Sequence, residues 1–109
     1  MKNHIFEYFS DSKNLIHPEF PMRKKIVCQD GFTMSVQASR THYSHPRADF
    51  TPHYSEYEVG YPSEAEELLL PYAEDPEKPT DTVYGYVPDD VINQVIDKHW
   101  GILAGVDLD

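Results

Sequence analysis

Cysteine is almost missing from this chain. Cys28 is the single one, so no internal disulfide can form, and such usage suits a reducing compartment. No run of about 18 apolar residues occurs, which argues against a membrane-spanning helix. The opening residues, MKNHIFEYFSDSK, lack the apolar stretch and small-residue cleavage site of a signal peptide. The expected compartment is therefore the cytoplasm. Glycine is scarce as well, five against nine prolines, which favours stiff connections over flexible ones. Basic residues run out in the second half: residues 1–50 hold seven Lys/Arg and five Asp/Glu, residues 51–109 hold two and fourteen. A field of that sign repels nucleic acid, whose binding needs Lys and Arg to neutralise phosphates. It attracts basic protein surfaces.

Catalytic signatures are lacking too. There is no G-x-S-x-G, no Walker loop and no dinucleotide glycine pattern. Cys28 lies beside Val27 in an apolar strand pattern, where a thiol is ordinarily buried and inert. Nucleophilic catalysis needs an activated side chain with a base and an oxyanion site, and none can be picked out. The expectation is a binding protein rather than an enzyme, with no catalytic residue, no metal and no cofactor assigned.

What is present indicates one folded domain. The chain has 109 residues, a net charge of −10, eight tyrosines, five phenylalanines and one tryptophan. That is too aromatic for a disordered acidic chain and too short for two cores. Residues 1–23 carry scattered aromatics and two prolines, and read as an irregular arm with a short helix as an alternative. Residues 25–29 and 32–38 flank Asp30-Gly31, a pair that supplies the positive φ angles of a two-residue type I′ hairpin. Residues 39–54 read as an exposed loop, 57–61 as a third strand and 82–87 as a fourth. Ser63 stands three before Glu66, the capping-box spacing, which predicts a short helix over 64–69, limited by Pro71. Pro88, Asp89 and Asp90 suit a helix start. Val91, Ile92, Val95, Ile96 and His99 form an amphipathic stripe, with Gly101 as its cap and His99 suited to the negative end of its dipole. Residues 102–109 are expected to fray. The fold class is α+β: a small antiparallel sheet of about four strands, one main C-terminal helix and one short helix, all in a domain over 24–109.

Three clusters carry candidate function. Glu56, Glu58, Glu64, Glu66, Glu67, Glu74, Asp75 and Glu77 crowd one stretch, with Tyr57 and Tyr61 as interface anchors. Carboxylates spaced over a rigid surface can stand in for phosphates before a basic groove. An ordinary solvated acidic face with tyrosines in the core is the alternative for the same residues. His42, His45 and His53 share a loop and are potential metal ligands, but their spacing matches no known zinc pattern. The same loop, Arg40 to Arg47, is a candidate contact loop.

Three segments also bear a resemblance. Residues 35–47 (SVQASRTHYSHPR), 57–63 (YEVGYPS) and the pair 72–74 and 82–88 (YAE, TVYGYVP), with His99-Trp100-Gly101-Ile102, resemble small proteins carried by bacteriophages and prophages. The likeness covers residues 26–102 and lends no catalytic residue. In size, acidity and lack of catalytic motifs the chain is similar to phage inhibitors of host defence, anti-CRISPR proteins and DNA mimics among them. The resemblance implies an inhibitor in the host cytoplasm whose partner is a protein or nucleoprotein complex with a basic surface, such as a CRISPR effector, with no direct nucleic-acid contact. An accessory or structural phage protein, a small His-loop metalloprotein and homodimerisation through exposed tyrosines stay open at this point.

Overall fold

Asn3 starts the first helix. Its Oδ1 accepts from the Phe6 amide at 3.2 Å, which satisfies one of the free donors of a first turn. Helix α1 spans His4–Ser10 in the computed structural model, which describes residues 2–108. Ile5 and Tyr8, three apart and so on one side of the helix, are both buried. The Ile5 amide donates to Asn93 Oδ1 at 3.0 Å. Strands β1 (Leu15–His17) and β2 (Phe20–Arg23) follow as a two-stranded ribbon. The arm expected to be irregular is thus a helix and a hairpin that supply core side chains. A seven-residue helix is too short to print a period on the sequence and is held by tertiary packing. Met1 and Asp109, the outermost residues of the expected arm and domain, lie outside the described residues.

Strands β3 (Lys25–Cys28) and β4 (Thr33–Gln37) are the expected hairpin, with Ile26 opposite Met34 and Val27 opposite Thr33. Its turn differs from expectation. The Cys28 amide donates to Phe32 O at 2.8 Å and the Gly31 amide to Cys28 O at 3.0 Å, so residues 29–31 form a three-residue loop. Within it Gly31 alone takes a positive φ, 95°. Asp30 instead accepts from the Phe32 amide at 2.9 Å through Oδ1, an Asx turn. The result is the three-residue hairpin with a left-handed glycine rather than type I′.

Strands β5 (Glu56–Gly60), β6 (Val83–Pro88) and β7 (Ile102–Val106) complete a five-stranded antiparallel sheet in the order β6-β5-β4-β3-β7. Residues 102–106 therefore pair with β3 rather than fray. The fold is α+β. Tyr57 faces Val87 and Val59 faces Tyr84 across β5 and β6, so Gly85 and Tyr86 stand opposite Glu58 alone, a β-bulge. At the bulge Tyr86 takes φ 53°, and its amide leaves the ladder to donate to Tyr43 O at 2.9 Å.

Helix α2 (Asp89–Lys98) buries Ile92, Val95 and Ile96 against Ile26, Met34, Val36, Val59 and Val87 in one core. Its end departs from expectation by one residue. The Trp100 amide donates to Asp97 O at 3.1 Å and the Gly101 amide to Ile96 O at 2.8 Å, a Schellman pair. Trp100, φ 73°, occupies the first left-handed position, and Gly101, φ 89°, follows it. Among the described residues no helix is long and apolar enough to cross a membrane.

Candidate interaction surface

The 22 residues from 61 to 82 that connect β5 to β6 carry most of the expected acidic site. They do not begin with the predicted helix over 64–69. Ser63 Oγ, the expected cap, instead accepts from the Thr33 amide at 2.9 Å, while the Ser63 amide donates to Thr33 O at 2.8 Å. The capping hydroxyl is therefore spent on the end of β4. A single 3₁₀ turn, Leu70–Tyr72, follows. The return limb is tied down as well. Ala73 bridges to Tyr84, the Glu74 amide donates to Val83 O at 3.0 Å, and the Asp75 amide donates to Thr82 Oγ1 at 3.0 Å. The Tyr84 hydroxyl donates to Pro79 O.

Glu66 points the other way from its neighbours. It is 2 % exposed and cannot present charge to a partner, which removes it from the expected acidic face. Oε1 meets His99 Nε2 at 2.8 Å; Oε2 accepts from Lys98 Nζ at 3.0 Å and from the Leu68 amide at 3.0 Å. The second imidazole nitrogen, His99 Nδ1, meets Asp30 Oδ2 at 2.6 Å, and the ring stacks on Phe32 at 4.0 Å between centroids. Burial opposes the charge on His99, but hydrogen bonds and attraction from Glu66 and Asp30 outweigh it and raise the imidazole pKa. For Glu66, burial is likewise outweighed, here by the Leu68 amide, His99 and Lys98, which lower its pKa. The Phe32 amide, opposed by desolvation and joined by His99, lowers that of Asp30. His99 is indeed the residue that ends α2. It is also the ion bridge joining the β3–β4 turn, the acidic connection and the helix. Nothing in the spacing of positions 30, 66 and 99 announces this bridge, since it exists only once three distant segments meet.

The other expected contact residues divide by location. Glu64, Glu67, Glu74, Asp75 and Glu77 are exposed on the connection, joined by exposed Asp81. Their basic neighbours are few: Lys78 lies among them in sequence, and Lys98 Nζ stands 4.0 Å from Glu67. Tyr61 is 57 % exposed at the start of the connection and keeps its expected place as a surface aromatic. Tyr57 does not. It points to the inner side of β5 and is 1 % exposed, so it is a core residue. Glu56 and Glu58 alternate with it and are half-buried on the outer side. Glu58 Oε1 accepts from the Tyr43 amide at 3.0 Å, which commits it to holding the 39–54 loop. Glu56 lies at the far end of β5, opposite Pro88, about 13 Å of strand from the acidic connection.

No protein-family model, curated protein or solved structure matches this chain. The likeness to phage-borne proteins accordingly rests on the three sequence segments alone.

The histidine loop is more ordered than its polar sequence suggests. Ser39 and Ser44 are buried and bonded to one another, the Ser44 hydroxyl donating to Ser39 O at 3.1 Å. His42 Nδ1 meets Ser39 Oγ at 2.6 Å; burial lowers its pKa, with Glu58 and Asp49 opposing. His45 pairs through its backbone with Glu56, and the His53 ring lies 5.8 Å from that of Phe6. Among the described residues no group of three His, Cys, Asp or Glu side chains is placed to hold a metal ion. Cys28 is buried, and desolvation followed by the Asp30 charge pushes its thiol up to about 11.

Proposed function

We propose that this chain is a binding protein that docks its acidic connection on a basic, nucleic-acid-handling complex of a bacterial host, such as a CRISPR effector, and inhibits it there. The observation that carries this reading is the placement of Glu64, Glu67, Glu74, Asp75, Glu77 and Asp81, all exposed on one connection that backbone bonds pin to β4 and β6. Carboxylates held on a fixed path meet Lys and Arg as phosphates do, at low ordering cost on binding. A solvated surface needs acidity but not this fixation. Tyr61 supplies an aromatic contact beside the charges.

Displacement of a fluorescent duplex from purified effectors and restriction nucleases tests this. The chain should displace the duplex from at least one of them, and the effect should weaken as salt rises from about 0.1 to 0.5 M, because screening shortens to a few ångströms. Reversing Glu64, Glu74 and Glu77 together to lysine should weaken displacement by at least about 100-fold, given roughly 1 kcal/mol or more per interfacial charge. Glu66 is left intact in that variant, since its side chain is structural. Absence of displacement across the panel, or displacement indifferent to the reversal, would refute the proposal.

A further inference from the structure

Arg23 is the last residue of β2 and only 5 % exposed. Buried arginines are ordinarily paired with a carboxylate or fully hydrogen-bonded. This one is not: Nε and Nη1 are both shielded from solvent and neither has a hydrogen-bond partner among the described residues. Its backbone, by contrast, is held on both sides, the Arg23 amide donating to Gln37 Oε1 at 2.8 Å and Gln37 Nε2 donating to Arg23 O at 2.7 Å. Gln37 thus fixes where the side chain starts and leaves the guanidinium to find its own company.

That company is aromatic. The guanidinium carbon lies 4.2 Å from the centroid of Phe9 and 5.8 Å from that of Phe50. Both rings line a cavity of about 460 Å³ whose wall also includes Phe6, Leu15, Tyr54 and Tyr57, with Arg23 itself. Stacking on a ring face offsets part of the cost of burying a cation, but it uses the π-face and leaves the in-plane N–H groups idle. A volume of this size lies in the range of small-molecule sites, which combine apolar walls with a few converging polar groups. Among the described residues, Arg23 is the one cation in the wall and no acidic side chain lines it.

We infer that this cavity binds a small monoanionic carboxylate with an aromatic or aliphatic body, its carboxylate paired to the Arg23 guanidinium and its body among the phenylalanine and tyrosine rings. Charge matching selects the head group. One guanidinium neutralises one carboxylate, whereas a phosphate dianion would bring a second charge with no second cation among the described lining residues to meet it. This site is separate from the acidic connection and does not depend on its role.

The test uses the full chain and three carboxylate probes: phenylacetate, indole-3-acetate and hexanoate. Calorimetric titration should show one saturable site for at least one of them, and the same acid should raise the melting temperature as expected for a ligand of the native state. For phenylacetate, the uncharged 2-phenylethanol and the dianionic phenyl phosphate should each bind about tenfold more weakly or worse. Arg23→Met keeps an unbranched apolar stem, loses the guanidinium end and removes an unpaired buried charge, so it should fold about as stably as the parent and lose carboxylate binding. Failure of all three acids to bind or stabilise at ~10 mM, well above the weakest affinities of use, would overturn the inference. So would 2-phenylethanol or phenyl phosphate binding as tightly as phenylacetate, or Arg23→Met binding unchanged. The first two comparisons need only the unaltered chain, so they stand even if the variant misfolds.

Discussion

Trp100 occupies a backbone position that L-residues avoid. With φ 73° it fills the left-handed place of the α2 Schellman cap, where glycine carries no Cβ penalty. At 75 % exposure its indole gains little by burial to offset that cost. Trp100→Gly is expected to raise unfolding free energy by about 1 kcal/mol, since a left-handed non-glycine residue costs roughly 1–2 kcal/mol. Urea denaturation followed by tyrosine fluorescence measures it, and a neutral or destabilising result would mean that the indole makes contacts in solution that this geometry lacks. Composition marks Gly101 for the cap because glycine is the usual occupant; the hydrogen bonds place the first left-handed position one residue earlier, at Trp100.

At the scale of elements, the ion bridge of Asp30, His99 and Glu66 ties turn, helix and connection together, and its effect on stability has a definite sign. The His99 pKa is raised above 6.5 in the fold, so its contribution is complete below 6.5 and fades as pH rises through the folded value. Those of Asp30 and Glu66 are lowered from 3.8 and 4.5, so theirs are complete above those values and fade as pH falls through the folded ones. Stability should therefore be highest between about 4.5 and 6.5 and decline on both sides. Glu66→Gln should flatten the alkaline decline and lower stability at pH 6, while Glu66→Ala should cost about 3 kcal/mol by leaving His99 and Lys98 short of a buried partner. Chemical denaturation across pH 4–9 for parent and variants decides this; an unchanged alkaline limb in Glu66→Gln would show that His99 does not carry it. The same bridge explains what could and could not be read from sequence. The β3–β4 hairpin, β5, β6 and α2 were legible because alternation or a 3.6-residue stripe is local. The helix over 64–69 was a misreading of a real capping pattern whose two side chains are claimed elsewhere, Ser63 by Thr33 and Glu66 by His99. Strand β7 was hidden because its partner β3 lies about three-quarters of the chain away, and pairing at that distance leaves no local mark.

For the molecule as a whole, the N-terminal segment is part of the core. Ile5 and Tyr8 are buried with Ile26 and Ile92, Asn3 and Asn93 are joined at 2.9 Å, and the Tyr8 hydroxyl donates to Lys24 O at 2.7 Å. Residues 1–23 were expected to stand apart from a domain over 24–109, and their side chains argue otherwise. Deleting them should remove at least about 4 kcal/mol, from the exposed apolar area of two large residues alone, a large share of the roughly 5–15 kcal/mol that holds a domain folded. Loss of the cooperative melting transition by calorimetry is the expected outcome; a truncated chain that still melts cooperatively near the parent temperature would restore the arm as an appendage. Of the candidate site, the acidic connection was legible from composition, since clustered carboxylates need no fold to be counted. Which of them face outward was not, because the inward turn of Glu66 and Tyr57 depends on what lies across the sheet. The Arg23 cavity left no trace at all, its walls being drawn from residues 6 to 57.

The two margins of the sheet are treated unequally. Along β6, the Ala73 bridge, the Glu74 amide and the bulged Tyr86 amide bind neighbouring chain, so that side is occupied. β7 ends the sheet with no strand beyond it among the described residues. Filaments grow when every added copy brings a fresh vacant margin. Within this sheet, strand-to-strand association through β7 would pair the same margin of two copies, use the template of both and close at two.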